Sequence, residues 1–109
     1  MRFLNSKLKI ENTILQNIAK KYGTPAYCYS YKQLKENIND FKKNFKSISP
    51  LICFAIKSNT NLNLIKEIKK FGLGADVVSM GELMLALKAG ISPRKIVFSG
   101  VGKLSLIHI

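Results

Sequence analysis

The sequence predicts a parallel α/β layer that starts a (β/α)8 barrel without closing it. Two observations carry this. Apolar, strand-like runs alternate with amphipathic helical stretches joined by short links, the pattern of parallel strands connected by right-handed crossovers. The three runs begin about 21–24 residues apart, close to the spacing obtained when ~250 residues are divided among eight β/α units. Three strands cannot close a barrel. As an open sheet they leave both edges and much apolar surface bare, so the pattern reads as the beginning of something larger.

Each element follows from local signals. From Glu11 to Tyr22, Ile14, Leu15, Ile18, Ala19 and Tyr22 recur at helical spacing, with Gly23 as a stop and Pro25 beyond it. Ala26–Tyr29 (AYCY) has the aromatic composition of a short strand. Ser30 and Gln33 make a capping box, after which Leu34, Ile38, Phe41 and Phe45 form one apolar stripe. Lys35, Lys42, Lys43 and Lys46 lie mostly off that stripe and read as a solvated face.

Pro50 opens LICFAI, Leu51–Ile56, a continuous apolar run that suits a parallel strand covered on both sides. A helix is expected from about Asn61 to Phe71, with Leu64, Ile65, Ile68 and Phe71 inward and Gly72 as its C-cap. Lys66, Lys69 and Lys70 crowd its last turns, where cations favour the helix dipole. Ala75–Val78 is the second strand. Ser79 and Glu82 form another capping box, opening a helix that ends at Gly90. Pro93 precedes the third strand, Ile96–Ser99.

Composition narrows the function classes. The chain has 109 residues, 47% of them hydrophobic and 22% charged, which is ordinary for one globular domain and excludes collagen-like and disordered classes. No apolar run approaches the ~20 residues that span a bilayer. MRFLNSKLKIEN has no apolar core of a secretory signal, so a soluble cytoplasmic protein with no membrane partner is expected. Eighteen Lys and Arg against six Asp and Glu give a formal charge of +12, which by itself would raise nucleic-acid binding. The lysines are spread along the whole chain, and the arginines suited to phosphate forks are only Arg2 and Arg94. No nucleic-acid partner is therefore expected. Cys28 and Cys53 sit in apolar runs without a CxxC or His cluster, and read as reduced core thiols rather than a disulfide or metal pair.

Chemistry in such layers collects at the carboxyl ends of the strands. Lys57 stands there, directly after six apolar residues. Low-dielectric walls would ease loss of its proton and let it attack a carbonyl; a strand tail that merely reaches solvent explains the position as well. Asp76, between Ala75 and Val77, needs a partner if it is buried, and an ammonium on the adjacent strand is the nearest. A wet, loop-proximal aspartate is the other reading. Glu82 is explained by its capping box. Gly100 and Gly102 in SGVGK could let a loop approach a ligand, but GxxxxGK[ST] is absent. His108, the single histidine, is given no role, and no metal site is expected.

Taken together, YGTPAYCYS, ICFAIKSNTNLNLIK, GLGADVVSMGELMLALKAGI and IVFSGVGK resemble the N-terminal part of the diaminopimelate decarboxylase family, within the fold-type III pyridoxal-phosphate group. The resemblance runs from about Tyr22 to Lys103. AIKSN marks the wider decarboxylase group, whereas ADVVSMGEL followed by IVFSGVGK favours the diaminopimelate branch over the ornithine one. It implies a TIM barrel of the alanine racemase-like type, with residues 1–30 (a short helix and strand) associated with a β-domain and residues 31–103 forming the first barrel units.

The resemblance also implies roles. Lys57 matches the lysine that carries pyridoxal 5′-phosphate as a Schiff base, Asp76 an aspartate beside that lysine and cofactor, and Glu82 a supporting glutamate. Ser58 and Asn59 belong to the motif without an assigned role. The implied reaction is decarboxylation of meso-diaminopimelate to L-lysine and CO2 in a homodimer; ornithine, arginine or carboxynorspermidine are the alternative substrates, and a basic nucleic-acid-binding fragment is the alternative from another class. In the family, the histidine that stacks on the cofactor, the Gly-rich phosphate loop and the substrate-binding residues lie further along than Lys103. There the family continues with polar residues, whereas this chain reads LSLIHI. Residues 104–109 are thus expected to be foreign or truncated sequence, and the 109-residue chain inactive alone.

Overall fold

The computed structural model describes residues 1–101. The chain forms two compact units, Met1–Ser47 and a second beginning at Ile48.

The first unit opens with an antiparallel meander that the sequence does not announce. Strands β1 (Arg2–Leu4), β2 (Lys7–Ile10) and β3 (Thr13–Ile14) pair in that order. Leu4 pairs with Lys7 across a two-residue turn, in which Asn5 and Ser6 both adopt positive φ, 50° and 60°. That is the handedness a tight hairpin needs, supplied here without glycine. Helix α1 (Leu15–Tyr22) packs on β2 and β3 and stops at Gly23. It therefore starts four residues later than the periodicity predicts, because Thr13 and Ile14 are taken by the sheet.

Ala26–Tyr29 is not a strand. Its aromatic composition favours extended backbone, but no neighbouring strand pairs with it, and Tyr27 is 91% exposed. Helix α2 (Tyr31–Asn44) carries the expected N-cap, Ser30 Oγ accepting from Gln33 N at 3.0 Å. The other half of the capping box is absent: the Gln33 amide donates forward to Asn37 Oδ1. Of the predicted stripe only Ile38 is buried; Phe41 and Phe45 stack at 4.8 Å on a largely exposed face.

The second unit is the parallel layer. Strands β4 (Cys53–Ala55), β5 (Gly74–Val77) and β6 (Ile96–Phe98) pair in sequence order. They are joined by helices α3 (Leu62–Lys70) and α4 (Met80–Lys88). Cys53, Phe54 and Ala55 face Gly74, Ala75 and Asp76; those last two face Ile96 and Val97 in turn. Period-2 alternation then sorts the side chains. Phe54, Ala75, Val77, Ile96 and Phe98 pack with Ile56, Ile65, Ala86 and Ile91 into one core. Ile56, Ile65, Ile68 and Val77 are almost wholly withdrawn from water, each worth roughly 1.5–3 kcal/mol relative to exposure. Cys53, Ala55, Asp76 and Val97 turn to the opposite side, where Val97 is 48% exposed. Gly72 (φ 81°) and Gly90 (φ 90°) follow α3 and α4 in the left-handed region, which explains the glycine stops.

Candidate active site

The carboxyl ends of the three parallel strands hold the residues singled out from the sequence. After β4 the backbone tightens into a 3₁₀ turn, Ile56–Ser58, which packs against β5 and α4. Ile56 anchors the turn in the core and Lys57 projects from it, exposed. Ser58 and Asn59 now acquire a purpose. The Ser58 hydroxyl donates to the Ala55 carbonyl at 2.7 Å, and Asn59 N–H donates to the Ile56 carbonyl at 3.0 Å. Asn59 Oδ1 accepts from Asn61 N–H at 3.0 Å, and Asn61 Oδ1 in turn caps α3 through Asn63 N–H at 2.9 Å. Lys57 therefore stands on a backbone fixed on both sides. Among the described residues, none forms a hydrogen bond or ion pair with its ammonium.

Asp76 is half-buried on the side of the sheet away from the core. Its partner differs from the one expected: no salt bridge joins it to Lys57. Instead the Ser99 hydroxyl donates to Asp76 Oδ1 at 2.6 Å. The reason is geometric. Asp76 is in register with Ala55, but the chain leaves the strand direction at Ile56, before Lys57. On the other flank β6 keeps its course. Ser99 N–H donates to the Val77 carbonyl at 2.9 Å, which brings its hydroxyl back over Asp76.

Ser99, the hydrogen-bond partner of Asp76, is not singled out by the sequence. No sequence signal marks it, because its relation to Asp76 depends on the register that pairs Asp76 with Val97, two residues before it.

Glu82 belongs to the helix cap. Its N–H donates to Ser79 Oγ at 3.2 Å, as a capping box requires. Its carboxylate reaches one residue further back than the box predicts, accepting from Val78 N–H at 2.8 Å. The joint between β5 and α4 is thereby locked.

Gly100 is explained by packing rather than by ligand approach. A Cβ there would meet the Val78 carbonyl and lie 2.8 Å from the Phe98 ring. Gly102, Lys103 and His108 lie outside the described residues. Cys53 is half-buried beside Asp76, and burial, with the aspartate charge second, pushes its thiol above the usual range. Cys28 is exposed rather than part of the core, since its segment joins no sheet. Both thiols are free. Among the described residues no cluster of three metal-ligating side chains occurs, and no helix is long and apolar enough to cross a membrane.

The chain that carries these residues is similar in sequence and fold to known proteins. The family described as pyridoxal-dependent decarboxylase, pyridoxal binding domain, matches residues 31–105. The chain belongs to that family, and its layer is the first part of a (β/α)8 barrel. Within the family it is similar to diaminopimelate decarboxylases. That of Aquifex aeolicus is 45% identical over 103 residues, covering 94% of this chain and 24% of the relative. That of Helicobacter pylori strain J99 is 47% identical over 88 residues, covering 81% and 22%.

Solved structures agree. Diaminopimelate decarboxylase from M. jannaschii superposes with a TM-score of 0.86 at 34% identity, over 91% of this chain and 24% of that one. The H. pylori enzyme complexed with L-lysine superposes at 0.75 with 42% identity, over 81% and 22%. The chain spans about a quarter of the length of the relatives it matches.

Proposed function

We propose that this chain supplies the lysine-bearing corner of a pyridoxal-phosphate enzyme that decarboxylates meso-diaminopimelate to L-lysine and CO2. One observation carries the reading. The Lys57 ammonium stands unengaged on a rigid turn at the carboxyl end of β4, with the Asp76–Ser99 pair at the ends of the neighbouring strands. The substrate comes from the relatives, which are named diaminopimelate decarboxylases, one of them complexed with L-lysine.

The residues present fit the cofactor. Pyridoxal phosphate needs a primary amine that is free to meet its aldehyde, and Lys57 has one that no described neighbour occupies. Once bound, the cofactor supplies an electron sink for the pair left on the α-carbon when CO2 departs. The chain's own residues do the rest. Lys57 would hold the cofactor through Nζ, and its fixed backbone limits where that nitrogen can reach. Asp76 places a carboxylate on the open side of the sheet, where it would favour a nearby positive charge. Glu82 acts on the backbone, keeping the β5–α4 joint in shape for Asp76.

In the same reading residues 31–103 are the first barrel units, and residues 1–30 belong with a β-domain. The enzyme is a cytoplasmic homodimer with a small-molecule substrate and no nucleic-acid or membrane partner. Residues 1–109 span about a quarter of the length of the relatives they match, so on their own they are expected to be inactive.

Borohydride reduction of the pyridoxal-phosphate-treated intact protein, followed by peptide mapping, tests the cofactor assignment. The tag is expected on Lys57; a tag on another lysine, or none, overturns it. Release of CO2 is then compared among meso-diaminopimelate, ornithine, arginine and carboxynorspermidine, and preference for any but the first overturns the substrate.

A further inference from the structure

We infer that Ser99 is a positioning residue: its hydroxyl, bonded to Asp76 Oδ1, aims the second carboxylate oxygen at the cofactor corner held by Lys57. This rests on the cofactor reading above and adds to it a residue with no role in the sequence motif.

Ser99 is poorly placed for a structural duty. It is exposed, and it lies past the last ladder pair of β6, Val77–Phe98. Yet its backbone is pinned twice. Its N–H donates to the Val77 carbonyl at 2.9 Å, and the next residue, Gly100, sits so close to the Val78 carbonyl and Phe98 ring that a Cβ has no room. Such anchoring leaves the hydroxyl little choice of position.

The bond it makes, 2.6 Å from Oγ to Oδ1, lies in the short range of O–H···O⁻ hydrogen bonds. A carboxylate held at one oxygen loses rotation about its last torsion and presents the other oxygen in one direction. Asp76 is half-buried and, among the described residues, forms no ion pair, so this hydroxyl is what fixes its aim. The donor is neutral. It therefore orients the carboxylate without cancelling its charge, which an ion pair with Lys57 would have done at the cost of tying up the cofactor amine.

The test compares Ser99→Ala, Ser99→Thr and Ser99→Val in the intact protein. Three quantities are read: the rate at which the apoprotein captures pyridoxal phosphate on Lys57, trapped by borohydride; the absorption spectrum of the bound cofactor; and kcat and KM separately. Ser99→Ala and Ser99→Val are expected to slow capture and lower kcat by about ten- to a hundredfold, the range set by one hydrogen bond to a charged group. They should alter the spectrum and leave KM and the melting temperature nearly unchanged. Ser99→Thr, which keeps the hydroxyl, should restore the wild-type values. Capture and spectrum indifferent to loss of the hydroxyl, or a Thr variant as impaired as Val, overturn the inference alone. Failure of the wild-type apoprotein to capture the cofactor on Lys57 overturns the cofactor reading and this inference together.

Discussion

The Glu11 carboxylate and the Ser30 hydroxyl form a relay across the start of α2. Glu11 Oε1 accepts from Ser30 Oγ at 3.0 Å and from Lys32 N–H at 2.6 Å, while Ser30 Oγ itself accepts from Gln33 N–H. A residue in the β2–β3 turn, at φ 53°, thus satisfies helix donors about twenty residues away, where the positive end of the dipole welcomes an anion.

The bond from Lys32 N–H, and then that from Ser30, lower the Glu11 pKa below its ordinary value of 4.5. A carboxylate with a depressed folded-state pKa adds stability that is fully present above its ordinary value. That stability is lost as pH falls through the folded-state value. Glu11→Gln should therefore destabilise the protein at neutral pH, with the difference from wild type shrinking as pH falls below 4.5 and through the lowered folded-state value. Urea unfolding across that range checks it; a difference independent of pH would remove the charge from the explanation.

Glu82 should matter for stability more than for chemistry. Glu82→Ala strips the acceptor from Val78 N–H and is expected to cost about 1 kcal/mol. Glu82→Gln retains an acceptor oxygen and should recover most of it. Thermal melting of the two variants gives the answer.

Gly100 admits no side chain. Gly100→Ala would press a methyl on the Val78 carbonyl and the Phe98 ring, at a cost of roughly 1–3 kcal/mol. Because the relief is a shift of the adjacent Ser99, the same variant should lengthen the Ser99–Asp76 bond. A crystal structure of the variant with that bond unchanged would contradict this.

The two thiols should differ in reactivity. Cys53 is half-buried, with its thiol pushed up first by burial and then by Asp76, so little of it is thiolate at neutral pH. Cys28 is exposed. Iodoacetamide should modify Cys28 well before Cys53, and Asp76→Asn should speed Cys53 slightly. Mass spectrometry of a timed reaction decides both points.

The second unit was largely readable because its signals are local and agree with one another. Asn61 caps α3, and Ile65 and Ile68 bury one face of it. The buried central strand β5 shows as GADV, apolar but for the aspartate. The first unit hid its strands. Its three strands are only two to four residues long, so the alternation in KLKI is too short to stand out, and the Asn5–Ser6 turn lacks the glycine that marks hairpins. The opposite error befell Ala26–Tyr29, where composition promised a strand and no partner was available to pair with it. The positions of Lys57 and Asp76 at strand ends and of Glu82 in the helix cap could be read from local pattern. The partner of Asp76 could not, because the three-residue 3₁₀ turn Ile56–Ser58 decides which neighbour its carboxylate meets, and composition does not record where a strand bends.

The sequential pairing of β4, β5 and β6 has a consequence for how the corner comes into being. Lys57, Asp76 and Ser99 sit on adjacent β/α units, and the Asp76–Ser99 bond spans 23 residues of chain. Loops of that size close cheaply and fast. The strand ends that carry Lys57, Asp76 and Ser99 can therefore come together through neighbour-to-neighbour docking, without waiting for distant segments to arrive. A site whose parts are consecutive along the chain is assembled in the order it is synthesised.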